Sequence, residues 1–137
     1  MEPYNFITYA LKFIIICALL FSSSCLHEEN SVNTAYQEIL GKWEETEIGN
    51  WPDMKTVPLP PGFWEFLDNG YIREFDYNTG TNFYKKYWID SLLHIAMVQQ
   101  DGFLQTVNYK YEFFDAYLRL DRQEITNNYT SVYKQIE

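Results

Sequence analysis

Three sets of side chains in this chain have the right chemical types to do chemistry. Glu44, Glu45 and Glu47 stand close together on a stretch that reads as a strand. Neighbouring carboxylates can divide acid and base work between them, although acids spaced this way on a strand more often form a solvated face. Asp90-Ser91 forms a turn with His94 just beyond it. A serine nucleophile needs a base and an orienting partner in reach, and no motif supplies them. The third set is the two histidines, His27 near the N-terminus and His94 within a predicted strand. No second histidine or thiol accompanies His94 in the body of the chain, so the pattern does not predict a zinc site. These residues predict a protein that is not an enzyme and carries no metal and no cofactor.

The cysteines need their own explanation. Phe13–Phe21 is a nine-residue apolar run behind Lys12. A membrane-spanning helix needs roughly 20 apolar residues, so the run is too short to cross a bilayer. It has the length of a signal-peptide core, and the small residues Ser22, Ser23 and Ser24 follow it, then Cys25. The arrangement resembles the lipobox of bacterial lipoproteins, with Ser22 where leucine is usual. That resemblance implies removal of residues 1–24 and acylation of Cys25, which anchors the chain to a membrane through buried acyl chains. Cys17 would leave with the leader, so Cys25 would keep no disulfide partner. The alternative is an ordinary secretory signal and a free thiol. Residues 25–33 are polar and without periodicity and read as a flexible tether. Glu28 and Glu29 within it resemble the surface-export signals of Bacteroidota lipoproteins; a plain solvated linker is the competing reading. The expected location is the cell envelope, at the outer membrane.

Composition narrows what the remaining domain can do. The chain has 137 residues and a net charge of −9, and 19% of it is aromatic. That length holds one domain. An acidic surface repels phosphate backbones, so no nucleic-acid partner is expected. Aromatic abundance favours strands, where flat rings pack across a pleated surface.

The pattern from residue 34 onward is of short strands between turns. Residues 34–40 can form one or two helical turns, with Thr34 as cap. The clearest strand is Phe103–Phe113, whose odd positions Phe103, Gln105, Val107, Tyr109, Tyr111 and Phe113 predict one buried face. Leu118 and Leu120 continue the alternation after a turn at 114–116. Asp68-Asn69-Gly70 is a hairpin signal joining Phe63–Leu67 to Tyr71–Tyr77, because Asn-Gly accepts the backbone angles of a tight turn. With Lys42–Ile48, Asn82–Ile89, Leu92–Gln99 and Tyr129–Ile136, these make eight candidate strands. Short turns between all neighbours predict an all-β fold, an eight-stranded antiparallel up-and-down barrel over residues 34–137 with a short N-terminal helical turn.

Ile39-Leu40-Gly41-Lys42-Trp43, a helical turn followed by Gly-x-Trp at the head of the first strand, resembles the opening of lipocalin-like domains. The likeness to lipocalin-like lipoproteins of Bacteroidota runs on through Trp64-Glu65-Phe66, the Asp-Asn-Gly turn, 109–113, 118–120 and 132–134. It implies that Trp43 is a structural plug at one end of the barrel. It also implies a basic side chain over that indole from the last strand, where Lys134 is the candidate.

Small barrels of eight strands either fill with side chains or enclose one small ligand. Trp64, Tyr71, Trp88, Tyr109 and Tyr111, with Phe66, Phe75 and Phe113, are the candidates for an inner wall; simple core packing is the competing reading. Arg73, Gln105 and His94 interrupt apolar faces and are the candidate polar contacts of a ligand. The stretch 50–62 reads as the longest loop and carries Trp51, Met54 and Leu59, candidates for a lid over the mouth or for contact with a protein partner. Two functions remain open: a carrier or sensor of a small apolar or amphipathic molecule, and a filled barrel serving as an interaction or structural module.

Overall fold

A computed structural model describes residues 31–98, 102–123 and 129–137. The expected leader, Cys25, and residues 25–30 of the expected tether lie outside these. Helix α1 covers 31–39, starting three residues before the expected Thr34 cap. Among the described residues nine strands follow: β1 Gly41–Asn50, β2 Asp53–Thr56, β3 Gly62–Phe66, β4 Tyr71–Asp76, β5 Asn82–Ile89, β6 Leu93–Val98, β7 Leu104–Phe114, β8 Tyr117–Arg122 and β9 Tyr129–Ile136. Every pairing is antiparallel, and from β3 to β9 each strand pairs with its successor in sequence. β9 pairs back onto β1 and closes an eight-stranded barrel. Closure removes the exposed edges that an open sheet would offer to other chains.

The departure from the expected eight strands is β2. Residues 50–62 read as a loop because Pro52, Pro58, Pro60 and Pro61 crowd it, yet Asp53–Thr56 pairs with Glu47–Asn50. β1 therefore changes partner along one edge, taking β3 over Gly41–Glu44 and β2 over Glu47–Asn50, while its other edge runs against β9 throughout. A bulge between Glu45 and Glu47 falls at the change of partner. Bulges of this kind re-aim side chains, and this one separates the three glutamates. Glu45 shares the inward face with Tyr133, whereas Glu47 lies beside Val132 on the outer face.

The Asn69-Gly70 turn forms as expected, with Gly70 at φ 78° and the Leu67 amide donating to the Tyr71 carbonyl over 2.9 Å. One end of the barrel is packed solid. Ile39 from α1, Trp43, Phe66, Ile72, Tyr87, Leu93, Val107, Tyr109, Leu118 and Leu120 make one continuous buried cluster. The Trp43 indole N–H donates to the Ile39 carbonyl at 2.7 Å, so the first core ring and the helix end are fixed to one another. Tyr36 adds a hydroxyl bond to the Asp68 carbonyl at 2.8 Å and stacks on Tyr87. Among the described residues no helix is long and apolar enough to cross a membrane.

Candidate functional site: the open end of the barrel

The far end differs because two pairs of strands part there. β5 and β6 are paired only from Lys86↔Ala96 downward, so Asn82–Lys85 has no partner on that side. β1 and β3 part after Glu44↔Phe63. Each separation leaves a cleft. The one between β1 and β3 holds about 360 Å³ and is walled by Trp43, Glu45, Trp64, Glu74, Phe83 and Tyr133, with Pro61 and Gly62 at its rim. The one between β5 and β6 holds about 700 Å³, and Phe83, Tyr84, Lys85, Ala96, Met97, Val98 and Leu104 line it. Glu74 and Phe83 border both clefts.

The register explains which side chains arrive there. Partners in a sheet share a face, so Trp43↔Trp64↔Glu74↔Phe83 is one inward row and Glu45↔Tyr133 another. Trp64 stacks on Tyr133 with ring centroids 5.4 Å apart. The Lys85 ammonium lies 2.5 Å from Glu74 and 5.2 Å from the Trp64 ring centroid. Burial, and then the charge of Glu45, pushes the Tyr133 phenol well above its ordinary range. The same two causes raise Tyr129. The cleft between β1 and β3 therefore gathers the neutral Tyr133 hydroxyl with the acidic side chains of Glu45, Glu74 and Asp76, and Lys85 pairs with Glu74.

Several expected contacts lie elsewhere. Of the eight candidate ligand residues, Trp64 alone borders the cleft between β1 and β3. Tyr71 and Arg73 belong to the outer face, because β4 pairs with β3 through Phe66↔Ile72 and so turns Ile72 and Glu74 inward. Arg73 instead ion-pairs with Glu65 and covers the Phe63 ring at 5.5 Å. Tyr71 lies under the Lys86 ammonium and borders the β5–β6 cleft from outside. Trp88 and His94 are a cross-strand pair on the outer face, since their neighbours Tyr87 and Ile95 fill the core. Tyr109 and Tyr111 pack in the closed half, and Gln105 is exposed near the start of β7. Met54 pairs with Gly49, Leu59 is 86% exposed, and the Trp51 ring carries the Arg119 guanidinium at 4.7 Å. Trp43 is buried, but Lys134 is not over it. Lys134 lies beside Glu44 on the outer face, and Gln135 is the neighbour of Trp43.

The residues missed were Glu74 and Lys85, and Glu45 was read as part of a solvated face. Their signal was positional, since Glu45 follows the Gly-x-Trp tryptophan by two and Glu74 follows Ile72 by two. A charged residue in phase with a core residue belongs inside and must find a partner there.

Outside the barrel, His94 stacks flat on Trp88, with centroids 4.9 Å apart. Its Nδ1 is 2.7 Å from Asn108 Oδ1 and its Nε2 is 3.0 Å from the Asp90 carboxylate. Two acceptors suit a protonated ring. Burial disfavours that charge, but the bonds to Asp90 and Asn108 outweigh it and raise the pKa above 6.5. A raised folded value means that the stabilisation is complete below 6.5 and is lost as pH rises through the folded pKa. Histidine NMR is therefore expected to show one imidazole titrating above 6.5, moving downward in D90N. An unchanged titration in D90N would show that the pair does not form. Among the described residues, no three His, Cys, Asp or Glu side chains gather closely enough to hold a metal ion.

No family model and no curated protein matches the chain. A solved structure does. The crystal structure of an uncharacterized protein from Bacteroides eggerthii DSM 20697 superposes with a TM-score of 0.51 at 19% identity. The match covers 72% of this chain and 99% of that one. At this identity the likeness carries the fold alone.

Proposed function

We propose that this chain is a lipid-anchored, lipocalin-like binding protein of the cell envelope, attached through Cys25 at the outer membrane. It holds a small amphipathic ligand at the open end of its barrel and catalyses no reaction. The observation that carries this reading is the asymmetry of the barrel. One end is packed solid beneath Tyr36 and Ile39 of α1, while the other keeps a cleft of about 360 Å³ lined by rings and carboxylates. Small-molecule sites have this size and this mixture of apolar wall and few polar groups. A barrel that served only as a packed scaffold would gain by filling that space, because unfilled volume forfeits contacts. Native mass spectrometry of the full chain isolated from its host is expected to show a small added mass that denaturation removes. A bare polypeptide mass, and no uptake from extracts of its own envelope, would overturn the reading. The rival is a protein-binding module, favoured by the rim residues Leu59, Val98, Phe103 and Leu104, each more than two-thirds exposed.

A further inference from the structure

Accepting the open end as a small-molecule site, we propose that its ligand is a cation: an ammonium group on an apolar or aromatic body, with the ammonium against Glu45. The cleft between β1 and β3 brings three carboxylates to its walls, and two of them are already answered. Glu74 is ion-paired with Lys85. The Asp76 carboxylate accepts the backbone amides of Asn78 and Thr79 at 2.7 and 3.1 Å. Among the described residues no ion pair reaches Glu45. It stands at the change of partner in β1, beside Tyr133 and facing the gap that β3 leaves.

The charge of the ligand follows from what each class would meet there. A carboxylate or phosphate would approach Glu45 as a like charge. A neutral apolar molecule would strip water from Glu45 and give it no partner, which is costly for an ion. An ammonium would neutralise it and gain the faces of aromatic rings, which attract cations. The protein already shows this chemistry once within the same site. The Lys85 ammonium is held between the Glu74 carboxylate and the Trp64 ring, with its Nζ 5.2 Å from the ring centroid. The apolar body has a place as well, because Phe83 and Glu74 join the first cleft to the second. There Ala96, Met97, Val98 and Leu104 offer an apolar lining.

Three matched probes separate the possibilities: 3-phenylpropylammonium, 3-phenylpropanol and 3-phenylpropanoate, titrated into the full chain and followed by tryptophan fluorescence and by NMR. The ammonium is expected to bind about tenfold or more tightly than the alcohol, and the carboxylate most weakly, since a charge-assisted bond of ordinary strength gives at least that ratio. E45Q is expected to reduce the ammonium to the affinity of the alcohol without weakening the alcohol itself. K85M is expected to strengthen ammonium binding several-fold, because the protein's own ammonium no longer competes for Glu74 and Trp64. Circular dichroism of both variants verifies the fold. Equal binding of ammonium and alcohol, indifferent to E45Q, would overturn the assignment of charge. So would a carboxylate that binds best and is lost in K85M. Either result would leave the open end standing as a binding site. Failure of all three probes at millimolar concentration would remove the site and the inference together.

Discussion

Trp43→Ala is expected to cost about 3–5 kcal/mol of folding free energy, the range for deleting a large buried aromatic side chain. Three contributions combine at this position. The indole is 3% exposed, so nearly all its area is withdrawn from water. It packs against Phe113 and borders the cleft, so its loss would join the open end to the core. Its N–H also satisfies the Ile39 carbonyl at the end of α1. With domains of this size stable by about 5–15 kcal/mol, the loss is a large fraction of the whole. Thermal unfolding followed by circular dichroism should show a midpoint lower by roughly 12–40 °C, at about 4–8 °C per kcal/mol. Trp43→Phe isolates the hydrogen bond, since it keeps most of the ring area and leaves the carbonyl unanswered, at about 1–3 kcal/mol. A cost below about 1 kcal/mol for the alanine variant would show that the indole does not act as a plug.

The same tryptophan explains what could be read from the sequence. Where one face of a strand is apolar and the other polar, alternation settles the orientation. In β7, Val107 and Tyr109 are buried as their parity predicts, and Leu118 and Leu120 in β8 are fully buried. The Asn69-Gly70 turn and the Gly41-Lys42-Trp43 start are local signals, and both formed in place. β4 and β5 carry large side chains on both faces: Tyr71, Ile72, Phe75, then Phe83, Tyr84, Tyr87 and Trp88. Alternation has no contrast there, and the face is set by register against strands far away in sequence. A slip of one residue exchanges the two faces. The sequence reading chose the face of Tyr71, Arg73 and Trp88, which is the outer one.

Burial alone does not explain why those outer rings are so large. Phe63 stacks on Phe75 at 5.3 Å, Tyr77 meets both, and the Tyr77 hydroxyl donates to Glu44 at 2.7 Å. That bond, more than burial, raises the Tyr77 pKa. Lys42 and Arg73 place their charges over the Phe63 ring. These contacts form an external brace along β1, β3 and β4, on the side where the cleft opens. They hold the rim with interactions that leave the interior volume free. Sequence reasoning counted Phe75 among these rings as part of an inner wall because it had no means of seeing that the barrel is stiffened from outside.

Gly62 is where the brace and the cleft meet, and Gly62→Ala is the second large effect expected. Gly62 lies opposite Asp76 in the β3–β4 ladder. An added Cβ would stand 1.8 Å from the Phe75 carbonyl oxygen and 2.9 Å from its carbon. Backbone of a paired strand is the obstacle, so no side chain can rotate away and the two strands must separate. The requirement is for space; Gly62 is not among the positive-φ glycines. Overpacking typically costs about 1–3 kcal/mol, and an obstacle made of backbone places this change near the upper end. The damage should be local as well as global. Tyr77 donates its backbone amide to the Pro61 carbonyl at 2.9 Å, so parting β3 from β4 releases the segment that borders the opening. Hydrogen exchange is expected to accelerate at Phe63, Phe75 and Tyr77 while Leu118 and Leu120 in the closed half stay protected. If the midpoint falls by less than about 3 °C and exchange at Tyr77 is unchanged, the strands are not in contact at Gly62. If exchange rises equally at Leu120, the open end is one cooperative unit with the core, and its cleft could not yield to a ligand without loosening the barrel.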